Sequence, residues 1–140
     1  MPIVPINYLA VLVATVSSIV IGFLWYGPVF GKPWMKMMGL SKESMSKKEG
    51  MGQKYALMTL GSFVMAYVLA HSLVFASTFT QTSGVSAGLM VGFWSWIGFV
   101  APVEMGSQLW EGKPWKLFLI QGGYWLVSLS IMGVILAVWK

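Results

Sequence analysis

At 140 residues, 57% hydrophobic and only 9% charged, with a mean hydropathy of +0.75, the chain carries more apolar surface than a soluble fold of this length can cover, since soluble domains are about 25% charged. Its net charge of +5 arises from nine lysines and four glutamates; six of those lysines lie between residues 32 and 54, a patch that suits a membrane surface and argues against nucleic acid as a partner. No cysteine is present, which excludes disulfides, thiol catalysis and thiolate metal sites.

The start, "MPIVPINYLAVLVATV", has no basic leader and no clear cleavage site, so it is read as the beginning of a first span and not as a removed signal. Crossing about 30 Å of hydrocarbon takes about 20 mostly apolar residues. Four runs qualify: 6–26, 55–79, 86–110 and 117–139. All four are expected as helices, because lipid offers the backbone no partners and four runs cannot close a barrel.

The first span carries small residues at a spacing of four, Ala10, Ala14, Ser18 and Gly22, on one helix face. Pro28 and Pro33 punctuate its end. The first loop follows, long and rich in Met and Lys, "PVFGKPWMKMMGLSKESMSKKEGMGQK". It is expected to lie as an interfacial amphipathic segment, with Trp34, Met35, Met37, Met38 and Leu40 among the headgroups and Lys36 toward water. Ser41 is a candidate cap for a short helix carrying Lys42, Glu43, Lys47, Lys48 and Glu49.

The second span repeats the spacing with Ser62, Ala66 and Ala70 and contains His71. Ser83 and Gly84 mark an uncharged turn. The third span has Gly84, Gly88 and Gly92, then Gly98 and Gly106 around Pro102. Three glycines at that interval predict a close helix contact, above all at Gly88 and Gly92. The fourth span has Gly133 and Ala137.

Lysines set the orientation. Eight of them fall in the first and third loops, whereas only Lys140 lies at the other end, which predicts cytoplasmic loops and both termini outside. The tetrapeptide Gly31, Lys32, Pro33, Trp34 recurs as Gly112, Lys113, Pro114, Trp115, each copy after an out-to-in span. The expected fold is therefore all-α: a single transmembrane domain, 1–140, of four helices. They form two parallel helical hairpins as a two-plus-two pseudo-repeat, with halves 1–80 and 81–140.

The stretches "INYLAVLVATVSSIVIGFLWYGPVFGKPWMK" and "GFVAPVEMGSQLWEGKPWKLFLIQGGYWLVSLSIMGVIL" resemble a family of small bacterial membrane proteins known only as domain-of-unknown-function family 1761. The resemblance covers the first, third and fourth spans and both Gly-Lys-Pro-Trp loops. It implies a four-helix integral membrane protein and brings no activity, substrate or catalytic residue with it.

Ionisable groups inside a span are functional candidates by default. Here they are His71 and Glu104. At 1.5 Å per residue they lie at depths that differ by about 15 Å, too far to pair or share a metal within one chain. Glu104 with Gln108, Gln121 and Tyr124 forms a candidate polar site, with a Glu104–Gln121 hydrogen bond expected. The chemistry open to it is either a proton or cation site or a carboxylate satisfied near the interface. His71 is either a hydrogen-bonded group near Asn7 and Tyr8 or, less in keeping with its isolation, a ligand to a pigment or haem. Trp94, Trp96 and Trp125 are deep enough to line an apolar groove. Residues 27–32 lack the spacing of a phosphate loop, and no nucleophile–base pair, metal cluster or cofactor motif is present.

The composition thus favours a non-catalytic helix-packing module of a bacterial cytoplasmic membrane. It would be an accessory subunit or a homo-oligomer that meets anionic headgroups through its lysine-rich loop and holds lipid or another apolar ligand. The alternative is a small-solute or proton-coupled transporter or channel using Glu104.

Overall fold

The four apolar runs all fold as helices in the computed structural model, which describes residues 3–41 and 51–139. The first span is α1 (Tyr8–Leu24) followed by a π-helical turn, Trp25–Val29, and a short helix α2 (Gly31–Met38). The second is α3 (Met51–Thr80). The third is α4 (Gly84–Ser95), a second π-helical turn, Trp96–Val100, and α5 (Ala101–Trp110). The fourth is α6 (Trp115–Val138). Four stretches are long and apolar enough to cross a membrane: Tyr8–Val29, Gly52–Thr80, Gly84–Trp110 and Trp115–Val138.

Helix α6 is the centre of the bundle, 44% of its apolar window being buried against 28–33% for the other three. It touches α1, α3, α4, α5 and α2. Its tightest neighbour is α4, and the reason is the absence of side chains. A Cβ on Gly92 would lie 2.7 Å from the Leu129 carbonyl oxygen, and one on Gly88 would run into the backbone of Gly133. The contact expected at Gly88 and Gly92 is therefore present and is internal to the chain. In lipid, such backbone approach replaces the hydrophobic force that drives soluble cores.

On the other side of α6, the stripe Ala10, Ala14, Ser18 of α1 is fully buried, and Ser62, Ala66 and Ala70 of α3 are buried with it. Together with Leu69, Leu73, Val91, Leu129, Met132 and Leu136 they make one apolar core. Asn7 ties the ends together at this side. Its side-chain oxygen accepts from the N–H groups of Leu9 and Ala10, capping α1, and its Nδ2 donates to the Trp139 carbonyl at 3.2 Å.

Two expectations change. Gly84 has no role in packing: nothing lies within 4 Å of a Cβ built on it, and its φ of +68° makes it a turn residue at the start of α4. The two Gly-Lys-Pro-Trp copies also differ in conformation. The first forms the opening turn of α2, where a Cβ on Gly31 would lie 2.7 Å from the Tyr26 carbonyl oxygen. The second is the non-helical link before α6, with Gly112 at φ +69° and Pro114 as the N-cap residue. The short helix expected after Ser41, with Lys42, Glu43, Lys47, Lys48 and Glu49, lies outside the described residues.

Candidate functional site

The two interrupted spans break in the same way. Pro28 has no N–H, and its ring opposes the regular α-helical turn; Pro102 stands just beyond the second break. In both cases the chain widens to π geometry over five residues that read Trp-x-Gly-x-Val, Trp25–Val29 and Trp96–Val100. The Trp25 carbonyl accepts from the Phe30 N–H at 2.8 Å, and the Trp96 carbonyl accepts from the Ala101 N–H. Both are five-residue bonds, the mark of a π turn.

Each widened turn aims its tryptophan at α6. The Trp25 Nε1–H donates to the Ile120 carbonyl and the Trp96 Nε1–H to the Gly122 carbonyl, both at 2.8 Å. Gly122 and Gly123 leave room for the rings. A Cβ on Gly123 would lie 3.2 Å from Trp25 Cζ2, and one on Gly122 would lie 3.8 Å from Trp96 Cζ2. Neither indole was singled out by sequence for this role, although the recurrence of Trp-x-Gly-x-Val and the Gly-Gly pair were both there to be read.

Beside this clamp lies the polar cluster. Tyr124 is 1% exposed, and its hydroxyl donates to the Ser18 carbonyl at 2.8 Å. Gly22, one turn along α1, makes that reach possible, because a Cβ there would stand 3.2 Å from the Tyr124 hydroxyl oxygen. The Tyr124 ring lies 5.3 Å from that of Tyr26, edge to face, and Tyr26 lies 5.0 Å from Trp34. Gln108, one turn beyond Glu104 on α5, is buried with both amide atoms unpartnered.

The expected Glu104–Gln121 hydrogen bond is not formed: among the described residues, neither side chain has a hydrogen-bond partner. Tyr124 meets Tyr26 instead, a residue supplied by the π turn that closes the first span. Gln121 stays partly exposed.

His71 sits apart, at the other end of the bundle. Its Nδ1 lies 2.9 Å from the Tyr67 carbonyl, so this nitrogen carries the proton, and its ring lies 4.5 Å from that of Tyr67. Tyr67 stacks in turn on Tyr8 at 6.4 Å. The histidine is thus a satisfied polar group near Tyr8. Trp94, Trp96 and Trp125 do not line a groove together: Trp94 is 64% exposed, Trp96 is held to Gly122, and Trp125 packs on Tyr124.

An apolar groove exists elsewhere, between α1 and α3 at the lysine-bearing end. It has a volume of about 460 Å³, and its lining includes Ile19, Phe23, Tyr26, Tyr55 and Met58 together with Trp34 and Lys54. A second cavity, of about 490 Å³, opens at the opposite end beside Asn7, Leu73 and Trp139.

Four membrane-length helices around a glycine-packed centre define a multi-pass helical membrane protein. The chain belongs to the family described as "Protein of unknown function (DUF1761)", whose model matches residues 9–137 and so takes in all four spans. No curated protein and no solved structure matches the chain.

Proposed function

We propose that the protein is a non-catalytic membrane module, a bundle of two parallel hairpins that packs against other membrane subunits or copies of itself and holds lipid or another apolar ligand. One observation carries this reading. Above the Glu104 cluster, the bundle is closed by Ala10, Ala14, Ala66, Ala87, Leu129 and Met132 and by the Gly88–Gly133 backbone contact. A polar route beginning at Glu104 would end in that apolar core. Among the described residues Glu104 has no hydrogen-bond partner and His71 is held to the Tyr67 carbonyl, an arrangement that supports a non-catalytic role.

The lysine asymmetry supports a bacterial cytoplasmic membrane with both termini outside. The matching π turns support repeated halves, with the equivalence resting on Trp-x-Gly-x-Val and not on the Gly-Lys-Pro-Trp copies. Gentle extraction from native membranes, followed by mass determination, tests the module reading. Recovery in a defined assembly or with retained lipid is expected, and recovery as a bare, lipid-free single chain would contradict it.

The alternative, a small-solute or proton-coupled transporter, draws on Glu104 within the third span and on the unpartnered Gln108 amide. Its test is proton or cation flux in vesicles containing the purified chain. No flux above protein-free vesicles is expected. A flux that Glu104→Gln abolishes, without loss of folding, would replace the module reading.

A further inference from the structure

The groove between α1 and α3 has the chemistry of one ligand class. Its wall is aliphatic and aromatic over Ile19, Phe23, Tyr55 and Met58, and from Ile19 to Tyr26 it extends about 10 Å along α1 at 1.5 Å per residue. Phe23 and Tyr55, which face each other at 5.9 Å, are both largely exposed on the lipid-facing side. The groove is therefore open laterally to the bilayer, and its volume of about 460 Å³ falls within the usual range of small-molecule sites, about 300–1,000 Å³.

Trp34 and Lys54 also line the groove. The Trp34 Nε1–H is buried and has no hydrogen-bond partner, an expensive state for a donor at the edge of hydrocarbon. Lys54, exposed at the start of α3, has no ion-pair partner among the described residues. Lys32 and Lys36 are exposed on α2, the helix that carries Trp34. An exposed lysine in the lining of an apolar slot open to lipid, with Lys32 and Lys36 on the helix that carries Trp34, complements a molecule with a phosphate at one end and a hydrocarbon chain at the other.

We propose that this groove binds an anionic phospholipid from the surrounding leaflet, one acyl chain lying along Ile19, Phe23 and Met58 and the phosphate meeting Lys54. The assignment rests on the module reading above and gives its apolar ligand a class and a place. Lateral opening selects the bilayer as the source, and the lysines select a net negative headgroup, because each lysine near the surface adds to the attraction for anionic lipid.

The test uses the full chain in nanodiscs of mixed phosphatidylglycerol and phosphatidylcholine, released into native mass spectrometry to count retained lipids. Retention of phosphatidylglycerol over phosphatidylcholine is expected. Lys54→Ala should reduce the preference about fivefold, in line with one surface lysine, and Met58→Trp, which fills the slot, should remove the retained lipid. Because Lys54 is exposed, its replacement leaves the fold intact, so the headgroup result stands even if Met58→Trp folds poorly. If both lipids are retained equally and Lys54→Ala changes nothing while Met58→Trp displaces both, the headgroup assignment is overturned and the apolar-ligand module survives. If a folded Met58→Trp variant keeps its lipid, the groove is not the site. If the wild-type chain retains neither lipid, both the assignment and the ligand part of the module reading fall.

Discussion

Trp25 and Trp96 donate their indole N–H groups to carbonyls two residues apart on one helix, those of Ile120 and Gly122. Each tryptophan opens a π-helical turn in a different span, so the break in each span also supplies one of its attachments to α6. A straight α-helix would place the following residues 100° further round at each step, whereas the extra residue of a π turn re-aims what precedes and follows it. The two breaks therefore have a structural purpose that Pro28 and Pro102 alone do not reveal.

Replacing either tryptophan with Phe keeps most of the ring contact and removes the hydrogen bond. Each of Trp25→Phe and Trp96→Phe should lower stability by about 1 kcal/mol, the scale of interhelical hydrogen bonds in membranes. Unfolding in mixed detergent micelles, followed by circular dichroism, measures it; no change for either variant would mean the clamp contributes nothing.

Gly88 and Gly133 meet backbone to backbone, and neither main chain can give way to a methyl group. Gly88→Ala and Gly133→Ala should each cost about 2–3 kcal/mol, at the upper end for overpacking. Gly106→Ala is the control, since nothing lies within 4 Å of its Cβ position. It should be neutral or stabilise by about 0.5–1 kcal/mol through helix propensity. Equal effects at Gly88 and Gly106 in the same unfolding assay would remove the α4–α6 contact from the explanation.

Tyr124→Phe deletes the hydroxyl that reaches Ser18 and leaves the ring stack with Tyr26 in place. A loss of about 1 kcal/mol is expected. Gly22→Ala should be destabilising only while Tyr124 keeps its hydroxyl, because the methyl group would press on that atom. A double-mutant cycle measures the coupling, and strict additivity would show that Gly22 does not make room for Tyr124.

Gln108 is buried with both amide atoms unpartnered. Gln108→Met, similar in volume and free of that burden, should stabilise the bundle by about 1 kcal/mol. A loss of stability in the same micelle assay would reveal a polar occupant bound at the amide.

Much of this architecture was legible in the residues. The four spans follow from hydrocarbon thickness and backbone satisfaction, and their ends fell within a few residues of the observed helices. The Gly88–Gly92 contact followed from spacing. The π turns did not, because hydropathy treats a widened turn and an α turn alike, and Pro102 stands beyond the break that Trp96 opens. The Glu104–Gln121 pairing failed for a related reason. Depth along two ideal helices placed them level, but depth says nothing of azimuth, and a π turn is inserted in the span that carries Glu104. Gly84 was assigned to the packing stripe by interval alone, whereas its positive φ is a property of the turn that no interval encodes. The α1–α3 groove joins Lys54, Trp34 and Phe23 from three separate helices, a conjunction that exists only once the bundle is assembled.

The threading of the chain through the bilayer underlies every other claim, and the absence of native cysteine makes it directly measurable. Single cysteines at Ser83, in the exposed turn between α3 and α4, and at Glu111, in the exposed link before α6, would be treated in intact cells with a membrane-impermeant maleimide. Two parallel hairpins with lysine-bearing loops in the cytoplasm predict labelling of Ser83→Cys at once and of Glu111→Cys only after permeabilisation. Labelling of both in intact cells, or the reverse pattern, would contradict that topology.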